Sequence, residues 1–113
     1  MRWYLHAKIH QATVTEADVD YVGSITIDQD LIEAVGLEPG EKVQVVSNSS
    51  GARLDTYVIV GQAGSGVIGM NGAAAHLIRT GEEIIIMGFE LSDQPIEAKI
   101  ALVDSENRFV RYL

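Results

Sequence analysis

Tyr21-Val22-Gly23-Ser24-Ile25-Thr26-Ile27-Asp28 is the stretch on which the reading of this chain turns. Apolar Val22, Ile25 and Ile27 among polar neighbours give a β-type run, predicted here as one strand from Tyr21 to Ile27 interrupted at Gly23. Asp28 then has the chemistry of a helix N-cap, ahead of Leu31, Ile32 and Val35, and Gly36 is placed to stop that short helix. A strand that hands over so quickly to one helical turn belongs to a fold of many short elements.

The flanking sequence repeats this pattern. From Met1 to Gln11 the chain alternates, which predicts a strand with Trp3, Leu5, Ala7 and Ile9 on one face. Lys8 and His10 then share the other face. Thr15-Glu16-Ala17-Asp18 suits a capped turn, and Pro39-Gly40 a tight one. Lys42 to Val46 and Arg53 to Val60 form two strands around the hairpin loop Asn48-Ser49-Ser50-Gly51. Gly61 to Gly66 is a glycine-rich loop and Val67 to Met70 a short strand. Ala73 to Ile78 is a short helix and Glu82 to Phe89 a buried strand. Ala98 to Val103 and Arg108 to Tyr112 make a last hairpin. The whole is a single mainly β domain over residues 1–113, with short helices, of the size and strand density of a small closed barrel.

Composition narrows the function. Sixteen acidic residues against eight basic ones give a net charge of −8. Nucleic acid and anionic membranes need clustered cations and are poor partners for such a chain. The absence of cysteine removes disulfides, thiolate metal sites and cysteine nucleophiles. His6, His10 and His76 follow no structural zinc spacing, so no metal is expected. With no signal-peptide core and no membrane-length apolar run, the expected location is cytoplasmic. Gly64-Ser65-Gly66-Val67-Ile68-Gly69 fits a dinucleotide-loop pattern, but strand residues follow it where that site needs a helix.

Ser24 offers a chemistry that no ordinary side chain supplies. Its hydroxyl can attack the carbonyl of Gly23 to form an ester. Elimination and hydrolysis then cut the chain and leave a pyruvoyl ketone in place of the serine. Gly23, lacking a Cβ, reads as the residue that lets the backbone strain toward this attack. Gly-Ser is also a common turn pair, and the pair alone decides nothing. Other residues add to it. Arg53 and Tyr57 share a strand face, with Thr56 on the opposite side. Asn71-Gly72-Ala73-Ala74 presents backbone N–H groups at a helix start, a cradle for an anion. Lys8 and His10 add polar groups that by themselves read as a solvated sheet face.

In order and spacing, Lys8-Ile9-His10, Val14-Thr15-Glu16-Ala17-Asp18, Tyr21-Val22-Gly23-Ser24, Ile27-Asp28-Gln29-Asp30, Arg53 with Thr56-Tyr57, and Asn71-Gly72-Ala73-Ala74-Ala75-His76 resemble the aspartate 1-decarboxylase family. The resemblance runs from about Lys8 to Phe89. It implies a six-stranded double-psi β-barrel and a homotetramer with sites between subunits. It implies cleavage at Gly23-Ser24 into a β chain, 1–23, and an α chain, 24–113, headed by a pyruvoyl group derived from Ser24.

It further implies decarboxylation of L-aspartate to β-alanine for pantothenate synthesis, through a Schiff base to the pyruvoyl ketone. By the same resemblance Tyr57 is the proton donor. Thr56, Gly72, Ala73, Ala74, Arg53 and Lys8 bind substrate, and His10, Tyr21 and Asn71 support them. Thr56 also steadies the oxyanion during self-cleavage. Val46 and Ile25 depart from residues that some members carry, tryptophan and cysteine. Open alternatives are an unprocessed barrel serving as a binding or assembly module, and a pyruvoyl decarboxylase for a related acidic amino acid. Whether maturation takes a helper protein is open as well.

Overall fold

The computed structural model describes all 113 residues. Its strands are β1 (Arg2–Thr13), β2 (Glu16–Asp18), β3 (Ser24–Asp28), β4 (Lys42–Ser47), β5 (Arg53–Gly61), β6 (Ile68–Asn71), β7 (Glu83–Ser92), β8 (Lys99–Val103) and β9 (Phe109–Tyr112). Two short helices, α1 (Gln29–Val35) and α2 (Ala74–Leu77), interrupt them. No helix is long and apolar enough to cross a membrane.

The capping residues set α1 as expected. The Asp28 carboxylate accepts the Asp30 N–H at 2.9 Å, and Gly36 ends the helix in the left-handed region at φ 78°. Asp28 does more than cap. Its two oxygens also accept the N–H groups of Gly64 (3.0 Å) and Gly66 (2.8 Å), so the glycine-rich loop wraps a carboxylate of its own chain. Two of the loop's N–H groups are thus taken by this carboxylate.

All nine strands join one mixed sheet in the order β2-β6-β3-β5-β4-β7-β1-β8-β9. The sheet must roll. β1 is seventh in that order and β2 first, yet only Val14 and Thr15 separate them. The three Cα–Cα steps from Thr13 to Glu16 span at most about 11 Å, whereas six strand spacings in a flat sheet would take about 29 Å. The junction is sealed where Thr15 N–H donates to the Ile68 carbonyl at 2.8 Å and the Thr15 hydroxyl accepts the Ile68 N–H at 2.9 Å. The hydrogen-bonded ladder itself stays open, with β2 and β9 at its ends. Ile9, Ile25, Ile27, Ile68, Met70, Ile84 and Ile86 fill the interior of the roll, each without solvent exposure.

Four expectations need correction. Residues 16–18 are a strand, parallel to β6, and not a capped turn. Tyr21, Val22 and Gly23 lie outside any strand, since β3 begins at Ser24. Glu83–Ser92 is not a buried strand, since buried and half-buried residues alternate along it to Gly88. Trp3, Leu5, Ala7 and Ile9 do not share a face. Leu5 pairs with Phe89 and Ala7 with Gly88, adjacent residues on β7, so His6 is an extra residue that reverses the alternation. Ala7 and Ile9 point into the core, while Trp3 is 69% exposed.

Candidate active site

Ser24 opens β3 as a fully buried polar side chain. Its hydroxyl donates to the Val22 carbonyl at 2.9 Å and accepts the Asn71 side-chain N–H at 2.9 Å. A serine oxygen has two lone pairs, so one remains free beside the Gly23–Ser24 peptide. Asn71 is buried too, and its amide also donates to Thr26 Oγ1 at 2.9 Å. Antiparallel register places Ser24 opposite Asn71, and period two puts Thr26 on the same face. Thr26 was not singled out from sequence, although its spacing of two from Ser24 was the available signal.

The Asn71-Gly72 turn lies directly on the Gly23-Ser24 segment. Gly72 has φ 70°, and a Cβ there would stand 2.6 Å from Gly23 Cα and 2.9 Å from Gly23 N. Gly23 itself is unstrained. It has no positive φ, and a Cβ on it would meet nothing within 4 Å. The steric demand for glycine therefore sits across the turn from the expected position. Gly72 N–H is taken by the Asp18 carbonyl at 2.8 Å. Ala75 N–H and His76 N–H bond back to Gly72 and Ala73, so the amides left open at the start of α2 are those of Ala73 and Ala74. Tyr21, half exposed, stands in the loop that leads to Gly23, and its carbonyl is near Gly72.

β5 runs parallel to β3 with Ile25 opposite Val58, which sets Tyr57 beside Ser24. Tyr57 alternates away from core residue Val58 and is 39% exposed. Thr56 points to the opposite face. Arg53 shares the Tyr57 face, but four steps along the strand, about 13 Å, separate them. The Arg53 guanidinium donates to Gln44 Oε1 at 2.9 Å, and Lys42 stands 3.7 Å from Asp55.

Lys8 is farther still. It pairs with Met87, which pairs with Gln44, which pairs with Asp55, a row across β1, β7, β4 and β5. From Lys8 to β3 is four strand steps, about 19 Å along the sheet. By the other way round, five residues of β1, about 17 Å, separate Lys8 from Thr13, near which β1 meets β6. His10 sits two residues from Lys8, its Nδ1 buried with no hydrogen-bond partner. One chain thus brings Ser24, Asn71, Gly72 and Tyr57 together, whereas Lys8, His10 and Arg53 share no hydrogen bond or strand pairing with them. A cavity of about 250 Å³ near the Lys8 row, lined by Trp3, Lys42, Val43, Gln44, Asp55 and Phe89, includes none of these site residues.

The sequence pattern of the aspartate decarboxylase family matches residues 1–110. The aspartate 1-decarboxylase of Bacillus subtilis is 52% identical over 116 aligned residues, covering 99% of this chain and 91% of that protein. Those of Bacillus velezensis and Bacillus thuringiensis are 50% and 51% identical over the same coverage.

Proposed function

The chain belongs to the aspartate decarboxylase family, and on that premise we propose that it converts L-aspartate to β-alanine and CO2, supplying pantothenate synthesis. The observation that carries the proposal is the buried Ser24 hydroxyl, held between the Val22 carbonyl and the Asn71 amide next to the bond to be cut.

Maturation is an intramolecular reaction of this chain. Ser24 Oγ attacks the Gly23 carbonyl carbon, and the Gly23–Ser24 C–N bond breaks as an ester forms. Loss of the Ser24 Cα proton and of the Gly23 carboxylate from Cβ then severs the chain. Water replaces the resulting enamine nitrogen, ammonia leaves, and a ketone heads residues 24–113. The residues present suit that group: the serine that forms it is shielded from solvent, with an amide donor on its oxygen and Tyr57 on the neighbouring strand. Bound there, the pyruvoyl group supplies an electron sink for the pair left when the α-carboxylate departs.

The other residues hold the substrate and move its proton. Lys8 and Arg53 attract the two carboxylates at close range, against the repulsion of a chain with net charge −8. The open amides of Ala73 and Ala74 receive a carboxylate oxygen, and Tyr57 Oη delivers a proton to the carbon that lost CO2. Thr56 steadies charge on the Gly23 carbonyl during cleavage, and His10 and Tyr21 support the pocket. Lys8 and Arg53 share no hydrogen bond or strand pairing with Ser24 within one chain, which supports a homotetramer whose sites form between subunits. The rolled sheet supports closure into a six-stranded double-psi barrel.

Intact mass and aspartate-dependent CO2 release test the proposal together. Two fragments, 1–23 and 24–113, and CO2 from aspartate in preference to glutamate are expected. Borohydride with aspartate should add mass to residues 24–113. An active protein with an unbroken chain, or an adduct on Lys8, would overturn the proposal.

A further inference from the structure

We propose that His6 and Glu41 form a clamp that holds β1 in the register presenting Lys8 to the substrate, which makes His6 a positioning residue for dicarboxylate capture. The proposal rests on the reading of Lys8 as a carboxylate-binding residue. Its starting point is the irregularity of β1. One extra residue, His6, lies between the pairs Leu5–Phe89 and Ala7–Gly88. A second irregularity falls between Ile9 and Ala12, where Gln11 has φ 62°. Lys8 occupies the short regular window between these two bulges, and His10 falls within the second irregularity. The face they show is set by the bulges and not by the alternation of the strand as a whole.

A bulge in an otherwise regular strand can migrate. Were the extra residue to move from His6 past Lys8, Lys8 would turn toward the core face now occupied by Ala7 and Ile9. His6 is the side chain that resists this. Its Nε2 lies 2.5 Å from Glu41 Oε2, with only 16% and 19% of the two side chains exposed. Glu41 is anchored in turn. Its other oxygen accepts the Glu38 N–H at 3.0 Å, its carbonyl accepts the Val58 N–H at 3.0 Å, and its own N–H donates to the Glu38 carbonyl at 3.1 Å. The contact therefore ties β1 to the segment between α1 and β4.

Gly88 makes the room. A Cβ there would stand 3.0 Å from His6 Nε2, 3.0 Å from Glu41 Oε2 and 2.7 Å from Leu37 Cδ2. Imidazole, carboxylate and leucine meet over a position where any side chain would push them apart. Gly88 also pairs with both Ala7 and Val43, in the row next to Lys8, Met87 and Gln44. The clamp is one residue from the Lys8 row, and its tie toward β3 is the backbone bond from Val58 N–H to the Glu41 carbonyl, which none of the side-chain variants below removes. It acts on substrate capture and leaves self-cleavage alone.

Saturation kinetics on processed protein test this with His6→Ala, Glu41→Ala and Glu41→Gln, alongside Lys8→Ala and the unaltered chain. Either alanine variant is expected to raise KM for aspartate roughly tenfold, about 1.4 kcal/mol of binding, with kcat within about twofold and cleavage complete by intact mass. Glu41→Gln keeps an acceptor for His6 and should recover most of the affinity. Amide hydrogen exchange gives an independent readout. Residues 7–10 should exchange at least about tenfold faster in His6→Ala, because local opening becomes easier. Unchanged KM in the alanine variants, a parallel fall of kcat and cleavage, or unchanged exchange in that window would overturn the clamp. Should His6→Ala fail to fold, unchanged KM and exchange in a folded Glu41→Ala would overturn it equally. Wild-type KM in Lys8→Ala would instead remove the substrate-binding reading of Lys8, and exchange would still decide the clamp.

Discussion

The turn around Ser24 and the open face of β1, β4 and β5 are built on different plans. At Ser24 the polar groups find partners within the chain: hydroxyl to the Val22 carbonyl, Asn71 amide to hydroxyl, Gly72 N–H to the Asp18 carbonyl. On the other face His10 Nδ1 has no partner, Arg53 holds only a surface glutamine, and Lys8 lies strands away from Tyr57. On the proposed reading, the reaction that cuts the chain draws on contacts made within one copy, and the reaction that binds a separate dianion draws also on groups that one copy does not link to Ser24.

The comparison breaks most sharply at Ser24. Ser24→Ala should stay one chain of full mass and release no CO2 from aspartate, and two fragments from that variant would refute the acyl shift. Tyr57→Phe tests the opposite side. It should cleave fully yet lose about 10²- to 10⁴-fold in turnover, the usual contribution of a positioned proton donor. Wild-type turnover would remove Tyr57 from that role.

A pair of glycine substitutions comes next in size. Gly72→Ala places a methyl 2.6 Å from Gly23 Cα at a positive φ. The left-handed backbone alone should cost about 1–2 kcal/mol, and cleavage should slow with it. Gly23→Ala, with open space at its Cβ, should fold with nearly unchanged denaturant midpoint. Equal loss in both variants would mean that the close approach seen here does not govern the turn.

The smallest effect lies outside both regions. The Glu82 carboxyl is held below its usual range, first by the Ser47 hydroxyl and then by the Arg79 N–H. A lowered folded-state pKa gives stability that is complete above the ordinary carboxyl value of about 4.5 and drains away as pH falls from there through the lower folded-state pKa. Glu82→Gln should therefore be less stable than the parent at pH 7 and indistinguishable from it in strong acid. A difference that persisted in acid would show that packing, and not ionisation, carries the contact.

Much of this was legible in the residues. Asp28 and Gly36 bounded α1 because caps act within one turn. The β4–β5 and β8–β9 hairpins followed from short loops between alternating runs. The pairing of β2 with β6 was not legible, since parallel partners lie far apart in sequence and leave no turn signal. Nor were the bulges at His6 and Gln11, because one extra residue is visible only against the partner strand. The site divided in the same way. Gly23, Ser24 and Asn71 stood out as motifs, whereas Thr26, and Glu41 as the partner of His6, emerged only from contacts.

Candidate chemistry and local punctuation were thus set by the order of residues alone: which serine is proposed to cut the chain, where helices stop, which strands turn back on themselves. Three things waited on the folded molecule: the face shown by Lys8, the hold of Asn71 on Ser24, and the close approach of Gly72 to Gly23. Each depends on the register between segments distant in sequence, and a shift of a single residue there reverses which side chains meet.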